Sequence, residues 1–174
     1  EIVYLDISRD DNYGLDVNKN IIGSSSSNSE VVQNSKKNII QIISDLSRIC
    51  RVPLSVGGKI RTLEDIKKRL KAGADKVVIN SVAIDNPEFI KKAAREFGSQ
   101  CIVVNIDVKK TSLDKWNIFK YFGKNITDLN LTKWIETIQE LGAGEILIQS
   151  IDRDGASQGY DLDLLKSISK KISV

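Results

Sequence analysis

Three observations in this sequence predict an α/β fold of parallel βα units. Short β-branched runs alternate with stretches of helical periodicity, the pattern that lays helices on a parallel sheet. The composition, 41% hydrophobic and 28% charged over 174 residues, suits a chain that buries one core. One segment design also recurs. GADKVVINS (73–81) and GAGEILIQS (142–150) share the form Gly-Ala-x-charged-apolar-apolar-apolar-polar-Ser, and EIVYLD at the start fits the same register with Glu1 in the charged slot. Repeated βα units of one design point to a (β/α)-barrel, in which alternate strands fill common layers.

Taken in order, the strands are EIVYLDI (1–7), VPLSVG (52–57), DKVVIN (75–80), QCIVVNID (100–107) and EILIQSI (145–151), short runs rich in Val and Ile. Residues 8–36 are polar, serine-rich and without period. They predict a flexible loop inserted in a single partial barrel domain spanning 1–174. A helix follows, with Ile39, Ile40, Ile43, Leu46 and Cys50 on one face. Leu63, Ile66 and Leu70 make the face of the next. Asn86-Pro87 starts a third, cap then first-turn proline, and Gly98 stops it. KWNIFKYF (115–122) alternates, which predicts a small hairpin over the barrel mouth. Trp134, Ile138 and Leu141 mark a further stripe, and DLDLLKSISKKI (161–172) the last helix.

Composition also excludes. A net charge of +3, with Lys and Arg spread over the helical stretches, leaves no basic stripe for nucleic acid. No apolar run approaches the ~18 residues of a membrane span. Two cysteines, Cys50 and Cys101, fit a reduced, cytoplasmic compartment rather than a disulfide framework. The absence of histidine leaves acid–base chemistry to carboxylates, Lys, Tyr or Cys. No Cys/His/Asp spacing suggests a metal, and no cofactor is expected. A chain without methionine that opens inside a strand reads as part of a longer protein.

The C-terminal ends of the strands carry Asp6, Gly57-Gly58, Asn80-Ser81, Asp107, Ser150 and Asp152, at the end of a barrel where active sites are built. Singly, capping and turn roles explain an Asp or a Ser. Polar groups at successive strand ends predict a site. Gly57-Gly58 lets backbone N–H groups approach a ligand, and Asn80-Ser81 adds donors. Asp154-Gly155, ahead of a helix, offers a second nest, and the combination suits phosphate. Asp6 and Asp107, on separate strands, supply an acid and a base. At the opposite rim Glu1, Lys76 and Glu145 stand at one level, either an ion-paired plug for the floor or a gate. The residues by themselves predict a barrel enzyme that handles a phosphorylated small molecule by carboxylate chemistry.

VPLSVGGKIRTLEDIKKRLKAGADKVVINSVAIDNPEFIKKAAREFGSQCIVVNID, then GAGEILIQSIDRDGASQGYDLDLL, closely resembles the cyclase subunit of imidazole glycerol phosphate synthase, the HisF family. The likeness runs from about residue 51 to the end and includes EIVYLDI; SIDRDG followed by GYD is its most specific part. The resemblance implies a (β/α)8 barrel of which about five βα units, the second to sixth strands, are present. It implies a lyase of histidine biosynthesis that takes a phosphoribulosyl-formimino aminoimidazole carboxamide ribotide and ammonia. The products are imidazole glycerol phosphate and the aminoimidazole carboxamide ribotide. It also implies a heterodimer with a HisH-like glutaminase subunit docked at the floor, whose ammonia passes through the barrel.

Residue by residue, Asp107 matches the family's fifth-strand catalytic aspartate. Gly58, Asn80 and Ser81 match one phosphate site, and Asp154 and Gly155 the start of the second. Asp6, Gly57 and Ser150 complete the expected substrate-binding set. Glu1, Lys76 and Glu145 match members of the charged ring at the ammonia entrance, and Asp75 a position that contacts the glutaminase.

The family pattern is broken at several places. The first strand, with the other catalytic aspartate, and the seventh and eighth strands are not in this sequence, so this stretch alone is expected to be inactive. The triple glycine reads Gly57-Gly58-Lys59; a lysine can reach phosphate as a point charge but lacks glycine's backbone freedom. The Thr-Ser ahead of IDRDG is Gln149-Ser150, and the hairpin's Ser-Gly and Thr-Gly have become YFGKNITD. These changes keep open a HisF-like subunit that delivers ammonia for amidation of a nucleotide sugar in surface-polysaccharide biosynthesis. A degenerate barrel left with phosphate binding alone is the third reading.

Overall fold

The computed structural model describes residues 1–7, 38–112, 115–121 and 123–174; the inserted loop expected at 8–36 lies outside them. In chain order the elements are β1 (Ile2–Leu5), α1 (Ile39–Ile49), β2 (Leu54–Gly57), α2 (Leu63–Lys71), β3 (Lys76–Ile79), α3 (Ser81–Asp85), α4 (Glu88–Phe97), β4 (Ile102–Ser112), β5 (Lys115–Lys120), β6 (Asn125–Ile126), α5 (Leu131–Glu140), β7 (Glu145–Ser150) and α6 (Leu162–Ile168). Strands β1, β2, β3, β4 and β7 run parallel in that spatial order, each joined to the next through helix. Among the described residues β1 and β7 each pair on one side only, so this run of barrel units forms an open sheet. No helix among them is long and apolar enough to cross a membrane.

The period of two along each strand sorts side chains onto two faces. On one face Val77, Ile79, Ile102, Val104, Ile106 and Val108 pack against Ile66, Ile90, Trp134, Ile135 and Ile138 of the helices. A second cluster joins Ile39 and Ile43 to Leu54 and Val56. Each fully buried Ile or Leu contributes about 1.5–3 kcal/mol through area removed from water. The register carries Ser55, Lys76, Val78, Val103, Asn105, Asp107, Glu145 and Leu147 to the other face, the inner wall of a barrel.

Caps fix the helix starts. Asn38, Asn130 and Asp161 accept from the backbone N–H three residues on, and Thr62 with Asp65 forms a reciprocal capping box. Gly98, at φ 91, ends α4.

Four expectations need adjustment. In α1 Ile42 joins Ile39 and Ile43 in the buried set, and Cys50 is the C-cap residue rather than part of the face. The helix expected from Asn86-Pro87 begins at Glu88, and a five-residue helix, α3, precedes it. Helix α2 buries Arg69 beside Ile66. Finally, β4 runs to Ser112 rather than residue 107, because its second half pairs antiparallel with β5. The hairpin over the mouth therefore takes one arm from β4, with Val108 opposite Ile118 and both buried.

Candidate functional site

The parallel strands end on the same side of the sheet, where the register sets functional groups next to one another. Asp107 leaves the inner face of β4 at 8% exposure. Its Oδ1 accepts from Asn105 Nδ2 at 2.7 Å, from two residues earlier on the same face. The register of Ile79 with Val104 sets Asn80 beside Asn105, where its amide opposes the rise of the Asp107 pKa. Burial pushes the Asp107 carboxyl above its ordinary range, the Asn105 and Asn80 amides hold it back, and the negative charge of Asp154 pushes it up again. A carboxyl moved up in this way is placed to give and take a proton nearer neutrality.

Asp154 reaches this neighbourhood through Gln149. Gln149 is the register partner of Asp107 on β7, and its Nε2 donates to Asp154 Oδ2 at 2.9 Å. Gly155 follows at φ 67, a left-handed turn with open space where a Cβ would stand. Gln149, Ser150, Asp154, Gly155, Tyr160 and Asp161 are among the residues lining a cleft of ≈ 340 Å³. Within that lining Ser150 is committed to the start of α6. It pairs with Val108 of the helix-facing core, and its Oγ donates to Asp161 Oδ2 at 3.3 Å, an oxygen that also accepts from Trp116 Nε1 at 3.3 Å. Ser150 therefore steadies the cap of α6. Asp152 ties the same loop to the hairpin by accepting from Lys110 N–H at 2.9 Å.

On the other flank the loop after β2 lies against Asp6. The Asp6 N–H donates to Gly57 O at 3.0 Å, and the side chain is 5% exposed. A Cβ on Gly58, at φ 100, would stand 2.3 Å from Asp6 O, so the close approach requires glycine. Strands β2 and β3 separate β1 from β4, so Asp6 and Asp107 are not neighbours in the sheet. Lys59, for all its lack of glycine's freedom, takes the left-handed conformation at φ 53, a position that costs a side chain about 1 kcal/mol. Its Nζ lies 3.8 Å from Asp6 Oδ2. Arg69 reaches up from α2 to hold this loop, with Nη2 donating to Gly58 O at 2.8 Å and Nη1 to Asp65 O at 3.0 Å.

Ser81 begins α3, and its Oγ accepts from Tyr121 N–H at 3.2 Å. Asp85, one turn on, accepts from Lys120 Nζ at 2.6 Å and from Tyr121 Oη at 2.5 Å. These bonds fasten the end of β5, and the turn that follows it, beside Asn80 and Ser81.

At the opposite end Lys76 Nζ donates to Glu1 Oε2 at 3.3 Å and, more closely, to Glu145, while Ser55 Oγ donates to Glu1. The hydrogen bond from Ser55 and then the Lys76 charge hold the Glu1 carboxyl below its usual range; the bond to Glu145 holds Lys76 above its own. The three residues of the repeated charged slot thus meet across β1, β3 and β7. Asp75 stands at the same rim, exposed, with Oδ2 accepting from Leu54 N–H at 2.8 Å.

Two site residues escape sequence reasoning. Asn105 interrupts an otherwise apolar strand two positions before Asp107, which is the signal that would find it. Arg69 lies three residues after Ile66, on the buried face of α2.

Residues 30–174 match the model of a family described as histidine biosynthesis protein. A protein of Vibrio vulnificus (strain YJ016), provisionally named imidazole glycerol phosphate synthase subunit hisF2, is 47% identical over 135 residues, 78% of this chain and 49% of its own length. The imidazole glycerol phosphate synthase subunit HisF of Hydrogenobaculum sp. (strain Y04AAS1) is 45% identical over 139 residues, 80% of this chain and 55% of that protein. The HisF of Bacillus cereus (strain AH187) is 47% identical over the same 80% and 55%. The chain spans about half the length of the curated relatives it matches.

Proposed function

Because this chain belongs to the histidine biosynthesis protein family, we propose that the protein is the cyclase subunit of imidazole glycerol phosphate synthase, a cytoplasmic lyase. It joins ammonia to a phosphoribulosyl-formimino aminoimidazole carboxamide ribotide, closes an imidazole ring and releases the aminoimidazole carboxamide ribotide.

The observation that carries this reading is Asp107, a buried carboxyl with a raised pKa that accepts from Asn105 on the inner face of β4. Ring closure from ammonia needs a proton taken from the attacking nitrogen, one delivered to the oxygen that leaves as water, and one for the departing nitrogen. A carboxyl moved towards neutrality serves such alternating transfers, and Asn105 aims it. Gly58, with Asn80 and Ser81, binds one phosphate of the ribotide; Asp154 and Gly155 begin the site of the other; Asp6, Gly57 and Ser150 support the walls between them. Glu1, Lys76 and Glu145 gate ammonia entry at the floor, and Asp75 meets a HisH-like glutaminase subunit there.

A second reading draws on Gln149, which alters the mouth and leaves the floor untouched. In it the floor still receives ammonia, and the mouth passes it on for amidation of a nucleotide sugar.

Calorimetric titration of the full-length protein without ammonia separates the two. The ribotide should bind, inorganic phosphate should compete with it, and a nucleotide sugar should bind more weakly. Tighter binding of the nucleotide sugar would overturn the cyclase reading, and failure of phosphate to compete would remove the phosphate roles of Gly58, Asn80 and Ser81.

A further inference from the structure

The loop after β2 holds a cation that a glycine phosphate cradle does not call for. At φ 53 Lys59 occupies a backbone region where side chains are disfavoured. Its surroundings over-determine that conformation. Gly58 is pressed against the Asp6 backbone, and the guanidinium of Arg69, 4% exposed, grips the Gly58 carbonyl at 2.8 Å. Disfavoured backbone conformations kept in this way concentrate at ligand clamps.

The direction of the loop suits such a role. The register of Gly57 with Val78 makes Lys59 and Asn80 leave adjacent strands at the same level. The side chain is 17% exposed, and its Nζ stands 3.8 Å from Asp6 Oδ2, an ion pair longer than the roughly 2.7–2.9 Å of a charge-assisted hydrogen bond. An ammonium is a compact charge on a flexible four-carbon stem, so Lys59 can swing towards a bound anion.

We propose that Lys59 is an anion-binding residue that sets specificity, its ammonium closing over a phosphate monoester held by the Gly58 backbone, Asn80 and Ser81. The inference rests on the phosphate-site reading above and adds a charge to it. Asp6 orients the ammonium from behind, and Arg69 positions the loop that carries it. A monoester approaches two negative charges near pH 7, whereas each phosphate of a diphosphate diester carries one. Lys59 therefore favours the terminal phosphate of a sugar or ribotide over the diphosphate of a nucleotide sugar.

The test uses the full-length protein titrated with inorganic phosphate at low and moderate salt. Lys59→Gly removes the charge while accepting φ 53 without strain, so it should fold at least as well as the parent in a thermal melt. It should bind phosphate about tenfold more weakly, the loss of one charge-assisted contact, and with a shallower salt dependence. Lys59→Arg, which keeps the charge, should retain most of the affinity. Equal phosphate affinity in parent and Lys59→Gly would overturn the role of Lys59 and leave the phosphate site standing. No phosphate binding by the parent would overturn both.

Discussion

Asp107→Asn should fold normally and lose roughly 10²–10⁴-fold of ammonium-driven turnover, the range that a positioned acid–base group supplies. The substitution keeps an oxygen able to accept from Asn105 Nδ2, so the 2.7 Å contact on the inner face survives while the titrating proton is gone. Stability should move the other way. Burial raises the folded-state pKa of Asp107 above its unfolded value, so its stabilising contribution is complete below the unfolded pKa and is lost as pH rises through the folded one. Above that folded pKa the ionised, buried carboxylate is a liability, and the neutral amide removes it. The variant should therefore melt at or above the parent's temperature near pH 7, and the gap should close as pH falls. Steady-state rates with ammonium salt and melts at several pH values check both halves; an inactive variant that is also less stable would point to a structural role.

Gly58→Ala should cost about 3 kcal/mol, adding a left-handed alanine to an overpacked backbone contact. The neighbour in the way is a backbone oxygen, Asp6 O at 2.3 Å, with Asp6 C and Cβ behind it at 2.9 Å, so no side chain can swing aside. The strand end carrying Asp6 and the loop carrying Lys59 would have to part, and phosphate affinity should fall with stability. Gly155→Ala is the matched control. Its φ of 67 is also left-handed, but nothing lies within 4 Å of the added Cβ, so about 1 kcal/mol is expected. Chemical denaturation of both variants gives the comparison.

What the sequence makes legible follows from which signals repeat. The parallel strands appear where β-branched runs predict them, because their helix-facing positions must be apolar and the pattern says so directly. Glu1, Lys76 and Glu145 fall at one level in the sequence alone, since one segment design fixes one charged slot, and the ion pairs bring the three together. Polar residues set inside apolar runs are harder. Asn105 and Arg69 look like interruptions in a strand and a helix face, and they acquire meaning only through Asp107 and the Gly58 carbonyl, which neighbouring elements deliver. The reach of β4 to Ser112 depends in the same way on a partner, since Lys109 and Lys110 signal nothing until β5 folds back on them. Ser150 shows the converse: its position at a strand end suggests a ligand, but the strand's period of two turns it towards Asp161 and the helix layer.

The decisive measurement is consumption of the ribotide by the full-length protein with ammonium salt at alkaline pH, in the absence of any glutaminase. An imidazole product should accumulate as the ribotide disappears, at a rate proportional to free ammonia. Ribotide that binds and yet stays intact while free ammonia is abundant would contradict ring closure as the reaction of this site.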